Sequence, residues 1–253
     1  MKKLITAIGM LLLSMMLFAT STFAWFSMNK TATATGMTVK ATADASLVIK
    51  GTEDSDYSAT GTNNLTAVTM KPSTSYDGLK FAKLASAAKV NSAGASAATW
   101  SGTSGAFVAS DLETVSEAGI YYATTTYSLK SISSAQDVYV KSITVTSENP
   151  ALTQAVRVSI TVGSTTLVFN AGGGTNATEG VGKFASSTWS LAVPTYVTPN
   201  TAGAKLGNLA ADTNTDAVVN IWYEGQDEKC YSDNVDTNNC TIKIEFTTTA
   251  PTA

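Results

Sequence analysis

The chain has 253 residues, 14% of them charged, with 16 basic against 19 acidic side chains, no histidine and a formal charge of −3. A single arginine, Arg157, in a mildly acidic chain leaves no basic stripe for phosphate backbones or anionic lipid, which argues against nucleic acid as a partner. Lacking histidine, the chain also lacks the commonest general base and most metal-site designs.

Residues 1–24 read as a secretory signal. Lys2 and Lys3 precede an apolar run from Leu4 to about Phe18, and small residues follow, with Thr22 and Ala24 at −3 and −1 of a cut after Ala24. The run continued to Ala24 also has the roughly 20 residues that span a bilayer, so an uncleaved anchor is the alternative. With cleavage, the membrane is met only through the precursor signal, and signal peptidase is a necessary partner. Gly9 lies inside the run with no acid after it, unlike a type IV pilin leader. The expected localisation is extracellular or cell-surface, and the many Thr, Ser, Ala and Gly residues predict a surface suited to it.

Cleavage leaves Trp25 and Phe26 at the new terminus, followed by Met28 and the tract "KTATATG". Thr31, Thr33 and Thr35 alternate with alanines up to Gly36, which is strand periodicity with too little apolar area for a core of its own. Residues 25–36 are therefore an arm in need of a sheet, and the aromatic pair is in need of a pocket. The sheet belongs either to the same domain or to another copy.

From residue 37 to 253 the patterned segments have period 2. "TVKATADASLVIK", "IYYATTTYSLKS", "DVYVKSITVTS", "TTLVFN", "TWSLAVPTYV", "AVVNIWYEG" and "TIKIEFTTT" all read as strands. In "AVRVSITV", Val156, Val158, Ile160 and Val162 share one face and Arg157, Ser159 and Thr161 the other, as a half-buried antiparallel strand requires. Turn chemistry separates these runs at "SENPA", Gly163-Ser164, "AGGGTN" and "VTPN". About eight to ten such strands predict an all-β fold, a single antiparallel β-sandwich of jelly-roll type with long loops. Residues 77–90 read as a loop with one helical turn, and 91–106 as a low-complexity exposed insertion that Trp100 pins down.

Cys230 and Cys240 have nine residues between them in an exported chain, which favours one disulfide over two free thiols. The acids gather in two loops, Glu53, Asp54 and Asp56 in one and Glu224 to Asp236 in the other, and read as solvated turn acids rather than a catalytic pair. The stretch 224–240 has oxygen ligands enough for calcium, but its spacing matches no EF-hand loop. No other cofactor is expected. The glycines at 171–182 fail both phosphate-loop fingerprints and read as a flexible turn.

"STFAWFSMNKTATATGMTVKA" resembles the junction after the signal in TasA-like and camelysin-like exported proteins of Gram-positive bacteria, while "MKPSTSYDGLKF", "LTQAVRVSITV" and "IWYEGQDEKC" are similar to a set of Firmicutes secreted proteins sharing that start, the N-terminal motif being the specific part. The resemblance implies a jelly-roll subunit of a pilus-like filament, as in a biofilm matrix, in which the N-terminal segment of one copy completes the sheet of the next. The low charge and the cysteine pair depart from TasA. On that reading the partner is the chain itself, in a head-to-tail homopolymer, and the protein is not an enzyme. The alternative is a cell-surface adhesin or glycan-binding sandwich using Trp100 and Tyr231.

Overall fold

The computed structural model describes residues 37–65, 71–84, 109, 112–147, 153–175, 180–227, 230 and 240–251. In chain order the strands are β1 (Met37–Thr42), β2 (Leu47–Lys50), β3 (Thr60–Leu65), β4 (Phe81–Leu84), β5 (Leu112–Val115), β6 (Ala123–Ser131) and β7 (Gln136–Ser147). They continue with β8 (Val156–Val162), β9 (Thr165–Phe169), β10 (Val181–Ala185), β11 (Thr188–Ala192), β12 (Lys205–Leu209), β13 (Thr215–Tyr223) and β14 (Cys240–Thr247). The segment expected to hold a helical turn is a bend at 77–80 running into β4, and 85–90 lies outside the described residues.

Two five-stranded sheets, ordered β12-β7-β14-β1-β3 and β2-β6-β13-β8-β9, carry one apolar core between them, and β4–β5 and β10–β11 form two-stranded ribbons. The all-β expectation holds. Period-2 burial is clearest in β1, β6 and β14, whose inward residues include Met37, Val39 and Ala41, then Tyr127 and Leu129, then Ile242, Ile244 and Phe246. Burying each large aliphatic or aromatic side chain stabilises by about 1.5–3 kcal/mol. Polar groups bind the two sheets as well. The Tyr127 hydroxyl donates to the Val39 carbonyl at 2.6 Å, and Asn63 Nδ2 donates to Thr125 Oγ1 at 2.6 Å.

The pairing is antiparallel throughout these sheets except at one place: β1 runs parallel to β14, with Met37 opposite Cys240 and Thr42 opposite Glu245. This departs from the wholly antiparallel sandwich that alternation suggested. Its cause is the crossing of the chain after β1. The chain passes to β2 in the second sheet and returns as β3, which takes the antiparallel place beside β1. Asp44 sits at that crossing and fastens the C-terminal end, accepting from Thr248 N at 2.7 Å and Thr247 Oγ1 at 3.0 Å. Partial burial pushes its carboxyl up, but hydrogen bonds from Thr248, Thr247 and Ser46 outweigh this and hold it below the usual range.

The two outer faces differ. That of the first sheet is solvated and carries Lys243, Glu245 and Lys141 in contact with one another. That of the second is covered by 71–84. Ser159 Oγ and Asn220 Nδ2 both donate to the Gly78 carbonyl at 2.9 Å, and Phe81 stacks on Tyr122 and meets Trp222 edge-on. Gly78 has φ +68, and a Cβ there would run into the Ser159 side chain, so the cover seats only with glycine. Because of this third layer Ser159, expected on a solvated face of β8, is 0% exposed, and Arg157 on the same face is 0% exposed beside Gln154, Tyr196 and Asp227.

Candidate functional site

β1 begins at one end of the first sheet, where Met37 is level with Cys240 of β14 and Leu65 of β3, and Cys240 in turn with Ser147 of β7. Across the core, β13 ends at Tyr223 opposite Val156, the first residue of β8, with Tyr223 beside Cys240. The described residues 153–155 and 224–227 therefore lie at the same end as Met37. The arm itself, 25–36, and Ala24 lie outside the described residues, as do Trp100, Tyr231 and 91–106.

A buried polar cluster closes this end. Arg157 Nη2 donates to Asp227 Oδ2 at 2.7 Å with both side chains 0% exposed, Nη1 donates to the Gln154 carbonyl at 2.7 Å, and Nε to Tyr196 Oη at 3.2 Å. Burial pulls the guanidinium down, but Tyr196 and Asp227 beside it prevail and hold it above its ordinary value. Glu224 lies next in the turn: its Oε2 accepts from Trp222 Nε1 at 3.1 Å and from Ser75 N at 3.4 Å, and its Oε1 from Gln226 N at 3.2 Å. Complete burial raises the Glu224 carboxyl above the usual range, opposed by Thr74, Trp222 and Arg157. The Gln226 amide is enclosed as well, and neither of its ends is bonded by a described residue.

This corrects the reading of 224–227 as solvated turn acids: Glu224 and Asp227 are each 0% exposed. The signal that gives them away is Arg157, the chain's one arginine, set within an apolar strand whose burial demands a counter-charge. The glycine segment is corrected too. Gly172 N donates to the Val156 carbonyl and Gly174 N to that of Gln154, and a Cβ on Gly174 would strike Asp227, so 171–175 is a packed cradle rather than a free turn. With Asp227 committed to Arg157, the calcium alternative loses one of its oxygen donors. Residues 228–229 and 231–239 lie outside the described set, and among the described residues no group of three or more His, Cys, Asp or Glu side chains is placed to hold a metal.

Cys230 and Cys240 are both buried and both free thiols, so the expected bridge is not formed here. Cys230 N donates to the Asp227 carbonyl at 2.9 Å, continuing the turn, while Cys240 opens β14. Burial pushes the Cys240 thiol up to about 12 and the Cys230 thiol well above its ordinary value, the latter helped by Asp227 and Glu224.

Glu224 supplies a pH test. Its folded-state proton is held more tightly than in the unfolded chain, so the carboxyl costs nothing below the unfolded value and destabilises progressively as pH rises through and above it. Stability of the native chain relative to Glu224→Gln is expected to fall as pH rises above the unfolded carboxyl's value, followed by urea midpoints of both. A constant or rising difference would contradict the buried, proton-retaining carboxyl.

The other acidic loop caps an edge. The outward amides of β3 are each met by a side chain: Thr60 N donates to Ser58 Oγ at 3.0 Å, Thr62 N to Asp54 Oδ2 at 3.3 Å and Asn64 N to Glu53 Oε1 at 3.4 Å. β2 is capped by Ser58, bonded both ways to Ile49, and the Val168 carbonyl of β9 accepts from Val197 N at 2.8 Å. Such covering keeps exposed strand edges from recruiting other chains. On β7 the cover is partial: β12 pairs with Gln136 to Tyr139 only, and Asn200 N bonds the Val140 carbonyl. Beyond that, no described residue pairs with the outer edge of β7 from 141 to 146. No family model, no curated protein and no solved structure matches this chain.

Proposed function

We propose that this chain is a secreted structural subunit that polymerises into an extracellular filament, its N-terminal arm completing the sheet of the next copy. The observation that carries the reading is the entry of β1. Met37, the first described residue of β1, pairs with Cys240 of β14 and Leu65 of β3 at one end of the first sheet, and the segment 25–36 precedes it directly in the chain. A Thr-Ala strand tract and two aromatic residues wait on that segment. Main-chain pairing with a foreign edge gives such an arm affinity, and the aromatics filling a pocket add to it. Because the donor and acceptor surfaces differ, the contact is head-to-tail and open-ended, which makes a fibre rather than a closed dimer.

The strand order supports a jelly roll as the architecture. The runs β12-β7-β14-β1 and β6-β13-β8-β9 have the arrangement of two four-stranded jelly-roll sheets, with β2 and β3 added at one side. The parallel β1–β14 pair is the departure. Jelly-roll order, exported N-terminus and arm together favour membership of the TasA-like and camelysin-like group, with an extracellular or cell-surface place and no catalytic role.

Trp25 and Phe26 test this. Each buried aromatic contributes about 2–3 kcal/mol, so the double change Trp25→Ala/Phe26→Ala is expected to raise the critical concentration for assembly at least about 100-fold, since roughly 1.4 kcal/mol is tenfold. Sedimentation of mature protein across a concentration series measures it. An unchanged critical concentration would remove the aromatics from the contact.

A further inference from the structure

We propose that the outer edge of β7 over residues 142–146, which no described residue pairs, is the acceptor for the alternating tract, 31–35, of a second copy. The inference rests on the filament reading and names the edge that reading needs.

The strand reports its own incompleteness. Val138 and Val140 point inward where β12 and Asn200 lie alongside, and both are 0% exposed. Ile143 and Val145 point inward from the same strand, opposite Ile244 and Ile242 of β14, yet they are only partly buried. Between the two pairs the register of β7 slips against β14, at Lys141, where the cover ends. Residues facing the core from a strand without a neighbour stay half exposed because the missing neighbour would supply the remaining contacts. One more strand beside 142–146 would supply them and satisfy the edge.

The occupant follows from length and place. The tract 31–35 has five residues and so does the edge. Its Ala32 and Ala34 methyls suit the half-exposed Ile143 and Val145, leaving the threonine hydroxyls to water. The chain's own arm fits less well. From Met37 to a position beyond β7 is three strand spacings, about 14 Å, which takes about four residues at 3.3 Å each. Residues 33–36 would then be spent on crossing the ends of β14 and β7, and little of the alternating tract would remain to pair. In an arm arriving from another copy the whole tract is available. The edges of β2 and β3 are capped by Ser58, Asp54 and Glu53, and the Val168 carbonyl of β9 is taken by Val197.

The test uses full-length mature protein carrying a benzophenone side chain at Thr33, mixed with nitrogen-15-labelled protein without the probe, irradiated and mapped by mass spectrometry. The expected product joins a light arm to a heavy 142–146 peptide. In unmodified assembled protein, amides in 142–146 are expected to exchange hydrogen at least about tenfold more slowly than in monomer. Filaments with adducts on another strand would overturn the edge and leave the filament reading standing. Adducts at 142–146 between copies without filaments would uphold the edge and overturn that reading. Adducts within one chain, or neither adducts nor filaments, would overturn both.

Discussion

Asp227→Ala is expected to destabilise the fold by about 3–5 kcal/mol, because it leaves the Arg157 guanidinium buried without its counter-charge. For a domain of this size that is a drop of about 6–20 °C in melting temperature. The loss is expected to be nearly independent of ionic strength, since the pair is 0% exposed on both sides and screening acts on exposed charges. The other described bonds of Arg157, to the Gln154 and Val156 carbonyls and Tyr196, remain in the variant but cannot neutralise the charge. Removing both charges together, Arg157→Met with Asp227→Leu, is expected to recover most of the stability, as apolar replacements of buried pairs commonly do. Urea denaturation of the three proteins checks this, and a loss below about 1 kcal/mol for Asp227→Ala would contradict the buried pair.

Deleting 25–36 is expected to abolish assembly while leaving the sandwich folded. Among the described residues the core between the sheets is built from Met37 onward, and β1 pairs with β14 and β3 through 37–42, outside the deleted arm. The effect on assembly is all-or-none, because the arm carries both the strand that pairs and the aromatics that anchor it. Analytical ultracentrifugation of the truncated chain is expected to show monomer at every concentration, with the circular dichroism of a β protein. Polymer formed by the truncated chain would contradict the account.

Where one face of a strand meets the core and the other meets water, alternation sufficed, as in β6 and β14, which lie where their sequences put them. It misled at β8, since Ser159 is covered by Gly78 and Arg157 by Tyr196 and Asp227, all distant in the chain, and no local pattern reports such a cover. β3 and β12 escaped notice for another reason. "TGTNNL" and "KLGNL" hold few apolar residues, and β3 keeps its place through Asn63, whose amide reaches Thr125 across the core, and through side chains capping its edge. Glu224 and Asp227 looked solvated because loop acids usually are. Their burial is a consequence of Arg157, and a lone arginine in an apolar strand was the legible clue. The cysteine pair was read from compartment and spacing, whereas in the fold each thiol is taken up by its own packing. That no described residue pairs with the outer edge of β7 from 141 to 146 was not legible at all, since which strands end early depends on pairings made across the whole chain.

The central claim is that the mature chain, beginning at Trp25, is a self-polymerising subunit. Negative-stain electron microscopy of that protein, concentrated after removal of its signal, tests it most directly. The account predicts unbranched filaments of uniform width that vanish when 25–36 is removed. Monodisperse particles at every concentration, with the fold intact, would contradict it.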